Sequence, residues 1–211
     1  MAVLKNIIFD LGGVLLSIDY NKTENAFKAL GYTDFQNMYS QLTADELFVK
    51  LETGQIGNED FFKVLTSAHA GEVTEKQVGD AWNSMLLAWR QESLSFLEQL
   101  SAHYKIFLLS NTNAIHEQAF NKSLKLQTGL VSIDPFFTKA YYSHKINLRK
   151  PDAPVFQYVL KDAAIKANET LFIDDSFNNI KTAASLGFKT HLLSAGEKRS
   201  KLPPAISKSM A

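Results

Sequence analysis

The stretch Asn6-Ile-Ile-Phe-Asp10-Leu-Gly-Gly-Val-Leu15 decides the reading of this 211-residue chain. Asn6 to Phe9 is short, mostly apolar and β-prone, without helical spacing, and reads as a buried parallel strand. Asp10 ends it and Gly12-Gly13 follow at once. In open α/β sheets ligands gather beyond the carboxyl ends of the strands, so a carboxylate there faces a site rather than the core. The glycines allow a sharp turn and close backbone approach to a ligand. A βα loop without function would show the same pieces, so the remaining strand ends have to decide.

Working outward, residues 17–88 read as helical. Ala26, Phe27, Ala29 and Leu30 form an apolar face closed by Gly31, and Phe35, Met38, Tyr39 and Leu42 continue the spacing. Thr43 with Glu46 fits a capping box, and Asn58 suits a cap for the helix carrying Phe61, Phe62 and Leu65. Val73 to Leu87 predicts a further helix facing inward through Val78, Trp82, Met85 and Leu86. This segment is expected to be an all-helical cap (17–88) inserted into a core formed by 1–16 and 89–211.

Regular alternation follows. Helices are expected at Leu94–His103, Ala114–Leu126, Asp152–Lys166 and Asn178–Leu186, and strands at Lys105–Ser110, Phe136–Ser143, Thr170–Asp174 and Lys189–Leu193. Strand–helix alternation of this kind predicts an α/β fold, a Rossmann-like doubly wound parallel sheet. The tail from Gly196 is expected to fray.

Composition bounds the function. The apolar fraction of 45% and aromatic fraction of 11% can fill a core. Lys+Arg and Asp+Glu both count 22, so the formal charge is zero and nothing calls for nucleic acid or an anionic membrane. Cysteine is absent, which removes disulfides, thiolate metal sites and thiol nucleophiles. The N-terminal apolar run is too short for a signal peptide, and no run spans a bilayer, so a cytoplasmic protein, monomeric or weakly dimeric, is expected.

What ends the strands carries the chemistry. Asp10, then Ser110-Asn-Thr-Asn113, then Lys145 and Arg149-Lys150-Pro151, then Asp174-Asp175-Ser176 would converge on one sheet edge. A phosphoryl group spreads negative charge and needs cations and donors: Lys150 supplies charge, Ser110 and nearby N–H groups supply hydrogen bonds. Mg²⁺ takes one or two carboxylates plus water and phosphate oxygen, which Asp10 and Asp175, with Asp174, would satisfy. A carboxylate beside phosphorus can attack it, which makes Asp10 the nucleophile of an aspartyl-phosphate route. Plainer readings stand beside these: Ser110 as a helix cap, Lys150 as a surface charge, Asp174-Asp175 as caps for the next helix.

FDLGGVL at 9–15, LLSNTN at 108–113, RKP at 149–151 and FIDDSFNNI at 172–180, in this order, resemble the four motifs of the haloacid dehalogenase-like hydrolase superfamily. The likeness is to its helical-cap phosphatase branch, which includes bacterial α-glucose-1-phosphate phosphatase. The resemblance implies that Asp10 is the nucleophile, that Mg²⁺ binds the Gly12 carbonyl and Asp175, and that Ser110, Asn111 and Lys150 hold the phosphate. It also implies that Asp174 orients the metal shell and that Asn179 ties the fourth loop. One departure stands out. Most phosphatases of this superfamily carry a second aspartate two residues after the nucleophile, and here that position is Gly12. Loss of a general acid typically costs ~10²–10⁴ in rate, least for acidic leaving groups. The expected activity is therefore Mg²⁺-dependent hydrolysis of a small phosphorylated metabolite, with preference for an anomeric sugar phosphate, or for acyl or aryl phosphates. A metal-independent haloacid dehalogenase and a catalytically weak phosphate-binding relative are the alternatives. Asp19 is a candidate replacement acid or simply the entry to the cap. Tyr20, Lys22, Glu52 and His116 are candidates to meet the substrate.

Overall fold

The computed structural model describes residues 3–32, 35, 39, 45–69 and 71–193. Five parallel strands form the central sheet: β1 (Asn6–Phe9), β4 (Lys105–Ser110), β5 (Lys139–Tyr142), β6 (Thr170–Asp174) and β7 (Lys189–Leu192), in the order β5-β4-β1-β6-β7. The strand-one stretch is apolar on both sides for a reason. Ile7 and Phe9 enter one hydrophobic cluster with Leu108, Phe120 and Ile173, whereas Ile8 enters another with Phe107, Val155 and Phe172. Successive side chains of a strand point to opposite faces, and both faces here are covered by helices. Those helices are α5 (Gln91–Ser101), α6 (Ala114–Thr128), the one-turn α7 (Ser143–Ile146), α8 (Ala153–Asp162) and α9 (Phe177–Ser185).

Between β1 and β4 the chain builds a helical unit with its own core: α1 (Tyr20–Ala29), α2 (Glu46–Glu52), α3 (Asn58–Ala68) and α4 (Glu75–Asn83). Trp82 is its centre, with ring centroids 4.6 Å from Tyr39, 5.1 Å from Phe48 and 5.7 Å from Phe61. The aromatic stripe is thus packing.

The structure departs from the expected elements in instructive places. The helix expected over Val73–Leu87 stops at Asn83, and Leu86–Trp89 is a strand, β3, paired antiparallel with β2 (Leu16–Ile18). Leu86 does double duty, touching both the helical core and the sheet-side core, so its helical spacing misleads. The chain leaves and re-enters the sheet domain through this ribbon, which is tied by Asp19 N–H to the Met85 carbonyl (3.0 Å) and Arg90 N–H to the Leu15 carbonyl (3.2 Å). The cap of α2 is Asp45, whose carboxylate accepts from the Leu47 and Phe48 N–H groups, and Glu46 is the first helical residue rather than the third. Met38, Leu42, Thr43 and the tail from Gly196 lie outside the described residues. Asn58 begins α3 and Gly57 occupies the cap position. The third core strand is shorter than expected: Asp134–Phe136 forms a 3₁₀ turn, with Pro135 unable to donate to a ladder. Helix α8 ends four residues early, where Ala164 adopts φ +52°. Among the described residues, no helix is long and apolar enough to cross a membrane.

Candidate active site

Register brings the strand ends together. Phe9 lies opposite Leu108 on one side and Ile173 on the other, so Asp10 emerges level with the ends of β4 and β6. Asp10 N–H still donates to the Ile173 carbonyl (2.9 Å), which fixes the turn at the point where the strand stops. Gly13 follows at φ +72°, and a Cβ there would overlap the Asp175 carboxylate. That glycine is required both by the turn and by the close approach of the fourth motif.

Lys150 is the hub. Its Nζ, 1% exposed, donates to Asp10 Oδ1 and Asp174 Oδ2, each at 2.7 Å. It is no surface charge. Asp174, wholly buried, also accepts from Ser176 N–H (2.8 Å) and from Asn179 Nδ2 (3.0 and 3.1 Å), so Asn179 does tie the fourth loop. Asn111 clamps the Lys150 main chain from β4: its Oδ1 accepts from Lys150 N–H (2.8 Å) and its Nδ2 donates to the Lys150 carbonyl (2.7 Å). The Asn111 side chain, expected to hold phosphate, is thereby engaged in positioning Lys150. Ser110 is buried and lines the crevice, as do Asp10, Gly12, Asn111, Lys150 and Asp175. Asp174 is fully buried and does not line the crevice. Lys145 belongs elsewhere, paired with Glu117 at 2.6 Å.

Electrostatics at this point ask for a cation. One oxygen each of Asp10, Asp174 and Asp175 lies within 4.8 Å of the others. Three carboxylates gather around Lys150, with the charge of Arg90 also felt at Asp175, so acid outnumbers base in a low-dielectric setting. Burial, then the charges of Asp174 and Asp175, push the Asp10 carboxyl up to about 7 against the pull of Lys150. Burial and Asp174 push Asp175 up to about 6. Burial disfavours the Lys150 charge, but Asp10 and Asp174 outweigh it and hold the ammonium above the ordinary lysine range. All-oxygen ligands with surplus charge are the donor set Mg²⁺ prefers. Asp10 and Asp175, which line the crevice, are the groups that would hold the ion, with Asp174 beside them; the Gly12 carbonyl is a ligand only by the family resemblance.

The crevice opens into a cavity of about 190 Å³. Tyr20, Tyr39, Glu52 and Met85 of the helical unit line it, together with His116 and Arg149 of the sheet domain. Lys22 is exposed and stands apart from it. Asp19 caps α1, accepting from Asn21 N–H at 3.0 Å, and does not reach the cavity. Where a side chain at position 12 would project, Ile18 Cδ1 sits 3.0 Å from an added Cβ. A side chain there would need the tip of Ile18 to give way by a few tenths of an ångström. Tyr20 is held well above the usual phenol range by burial and then by the charges of Asp175, Glu52 and Asp10, and stays a neutral donor. Sequence reasoning left Arg149 and Tyr39 without roles at the site. Arg149 stood in view beside Lys150, but its partner Glu52 is far away along the chain, and no local pattern links them.

Comparison with known proteins agrees with this geometry. The haloacid dehalogenase-like hydrolase family model matches residues 4–187. The chain is 30% identical over 188 residues to D-ribitol-5-phosphate phosphatase of Bacteroides thetaiotaomicron, covering 89% of this chain and 91% of that protein. A Bacteroides thetaiotaomicron enzyme of the same family, an aspartate-to-alanine variant crystallised with magnesium and inorganic phosphate, superposes with a TM-score of 0.86 at 34% identity, covering 93% and 97% of the two chains. A hydrolase of this family from Porphyromonas gingivalis superposes equally well, at TM-score 0.86 and 35% identity over 98% of each chain. Motif order, the lysine-bridged carboxylates and these likenesses lead to one conclusion: the chain belongs to the haloacid dehalogenase-like hydrolase family.

Proposed function

We propose that the protein is a Mg²⁺-dependent phosphomonoesterase of small phosphorylated metabolites, working through an aspartyl-phosphate on Asp10. The observation that carries this reading is the carboxylate–lysine cluster, with Asp10 at the mouth of a cavity and held at 2.7 Å by a buried ammonium. Lys150 and Ser110 would bind the phosphoryl oxygens, and Lys150 keeps Asp10 aimed along one direction. Asp10 attacks phosphorus; the Asp10 Oδ–P bond forms as the ester P–O bond breaks, and the leaving oxygen takes a proton from water. Water then attacks the acyl phosphate, returning Asp10 and inorganic phosphate. When bound, Mg²⁺ supplies positive charge to the phosphoryl oxygens. The helical unit acts as a cap that excludes water from the crevice while the ester is held.

The likeness to D-ribitol-5-phosphate phosphatase supports a sugar or polyol phosphate as substrate. Glycine at position 12, which offers no acid side chain, supports a second expectation, that rate falls steeply as the leaving group becomes less acidic, favouring anomeric, acyl or aryl phosphates. Phosphate release should be measured over sugar phosphates, polyol phosphates, nucleotides and acyl phosphates, with and without Mg²⁺, with Asp10→Asn as control. Release that persists in Asp10→Asn would refute the nucleophile. A rate insensitive to leaving-group pKa would remove the anomeric preference.

A further inference from the structure

With glycine at position 12, the leaving oxygen of an ester has no acid side chain beside the nucleophile. In an in-line displacement that oxygen lies on the far side of phosphorus from the attacking one. Asp10 stands at the sheet edge, so the leaving oxygen faces the wall built by the helical unit and the β2–β3 ribbon. Much of this wall is hydrocarbon, from Leu16, Ile18, Met85 and Leu86. Two of its polar side chains are engaged: Tyr39 Oη–H donates to Glu52 Oε1 at 3.0 Å, and Glu52 Oε2 pairs with Arg149 Nη2 at 2.9 Å. Tyr20 differs. It lines the same cavity as Asp10, and its hydroxyl is open to that cavity with no hydrogen-bond partner among the described residues. The chain fixes it there. Tyr20 is the first residue of α1 and follows Asp19, whose N–H is tied to the Met85 carbonyl (3.0 Å) and whose carboxylate caps the helix. Its ring leans on Tyr39, with centroids 6.1 Å apart. Burial, then the charges of Asp175, Glu52 and Asp10, oppose a phenolate, so the group stays a donor.

We infer that Tyr20 is a further catalytic residue, whose phenol O–H donates a hydrogen bond to the leaving oxygen of the phosphate ester where position 12 offers no acid; this rests on the phosphatase reading. As the ester P–O bond breaks, its electron pair goes to the leaving oxygen. The hydrogen bond from Tyr20 strengthens as that charge develops, so it favours the transition state over the bound ester. The phenol keeps its own proton throughout. Water supplies the proton that the departing alcohol needs, and the hydroxide left behind is consumed when the acyl phosphate is hydrolysed to inorganic phosphate. The hydrocarbon around the hydroxyl lowers the local dielectric, which strengthens a hydrogen bond to a developing anion. A donor that stabilises an alkoxide without protonating it leaves the rate dependent on leaving-group acidity, but less steeply than if position 12 were bare and the wall wholly apolar.

The experiment measures kcat/KM of the intact protein with Mg²⁺, wild type against Tyr20→Phe, over substituted phenyl phosphates and n-pentyl phosphate. Leaving-group acidity then varies while the phosphoryl group does not, and kcat/KM reports the steps up to and including cleavage of the ester bond. Tyr20→Phe is expected to lose at least ~10-fold on n-pentyl phosphate and less than ~3-fold on para-nitrophenyl phosphate, whose leaving oxygen needs little help. The plot of log kcat/KM against leaving-group pKa should therefore steepen in the variant. Because the hydroxyl has no partner within the described fold, the urea midpoint of Tyr20→Phe should match that of wild type. An equal loss on every ester, or no loss on any, would overturn the assignment while leaving the phosphatase standing. A lowered urea midpoint, or a variant that does not fold, would overturn it too, because the hydroxyl would then be holding the fold rather than the leaving oxygen. Folded wild type that releases phosphate from none of the esters would overturn the phosphatase reading and this assignment with it.

Discussion

His116 gives the sharpest test of how the helical unit is joined to the sheet domain. It sits on α6, is buried, stacks on Trp82 of α4 at 4.5 Å, and donates from Nε2 to the Trp82 carbonyl at 3.2 Å. Burial pulls its imidazole down from 6.5 to about 4. The unfolded chain takes up the proton near 6.5, the folded protein only near 4, so the unfolded state binds more protons in between. Stability from this group is complete above about 6.5 and drains away as pH falls towards 4. At 1.36 kcal/mol per pKa unit the whole loss is about 3 kcal/mol, of which about 2 kcal/mol is gone between pH 7 and pH 5. With a urea slope near 2 kcal/mol/M that is a midpoint shift of roughly 1 M. His116→Gln keeps an N–H for the Trp82 carbonyl and cannot titrate. Urea unfolding followed by tryptophan fluorescence at both pH values should show wild type losing about 2 kcal/mol more than the variant. Parallel losses in the two proteins would refute the assignment of a buried neutral imidazole.

The remaining expectations concern the catalytic end. Lys150→Met strands Asp10 and Asp174 without their shared cation, and should cost about 3–5 kcal/mol in chemical denaturation along with phosphate release; an equally stable variant would show that the carboxylates need no ammonium. Gly13→Ala forces a Cβ onto the Asp175 carboxylate at a positive φ, so the Mg²⁺ concentration for half-maximal activity should rise at least ~10-fold, and an unchanged value would argue against Asp175 as a ligand. Gly12→Asp combined with Ile18→Ala restores an acid and the space for it. Esters of ordinary alcohols should gain at least ~10-fold and aryl phosphates far less, and equal gains would show that the missing proton donor does not limit the reaction.

Much of the sheet domain was legible because its signals are local. Asn6–Phe9, Lys105–Ser110 and Thr170–Asp174 are apolar runs each stopped by a polar residue, and the structure has strands at those three positions. Asp10, Ser110, Lys150 and Asp175 could be singled out for the same reason, since each follows a strand or sits beside a glycine or proline. The ribbon of β2 and β3 was not legible. Its three and four residues carry no periodicity of their own, and each strand exists only because the other pairs with it. The N-cap of α2 was misplaced because Thr43 and Asp45 are both good caps, and the choice rests on where the helix meets its neighbours. The Asn111 clamp and the Glu52–Arg149 pair join residues distant in the chain, and a side chain's partner is chosen by three-dimensional register.

By itself the sequence determined the order of chemistry along the chain: an acid, a hydroxyl, a cation and a pair of acids, each at the end of a β-prone run, with hydrophobic periodicity setting which runs are strands. Only the tertiary structure decided which of these groups touch. Sheet register placed Lys150 between Asp10 and Asp174, and the meeting of α2 with the Arg149 loop shaped the far wall of the cavity. The physical reason is range: periodicity and capping act over a few residues, whereas burial, ion pairing and cavity shape depend on groups that folding brings together from distant parts of the chain.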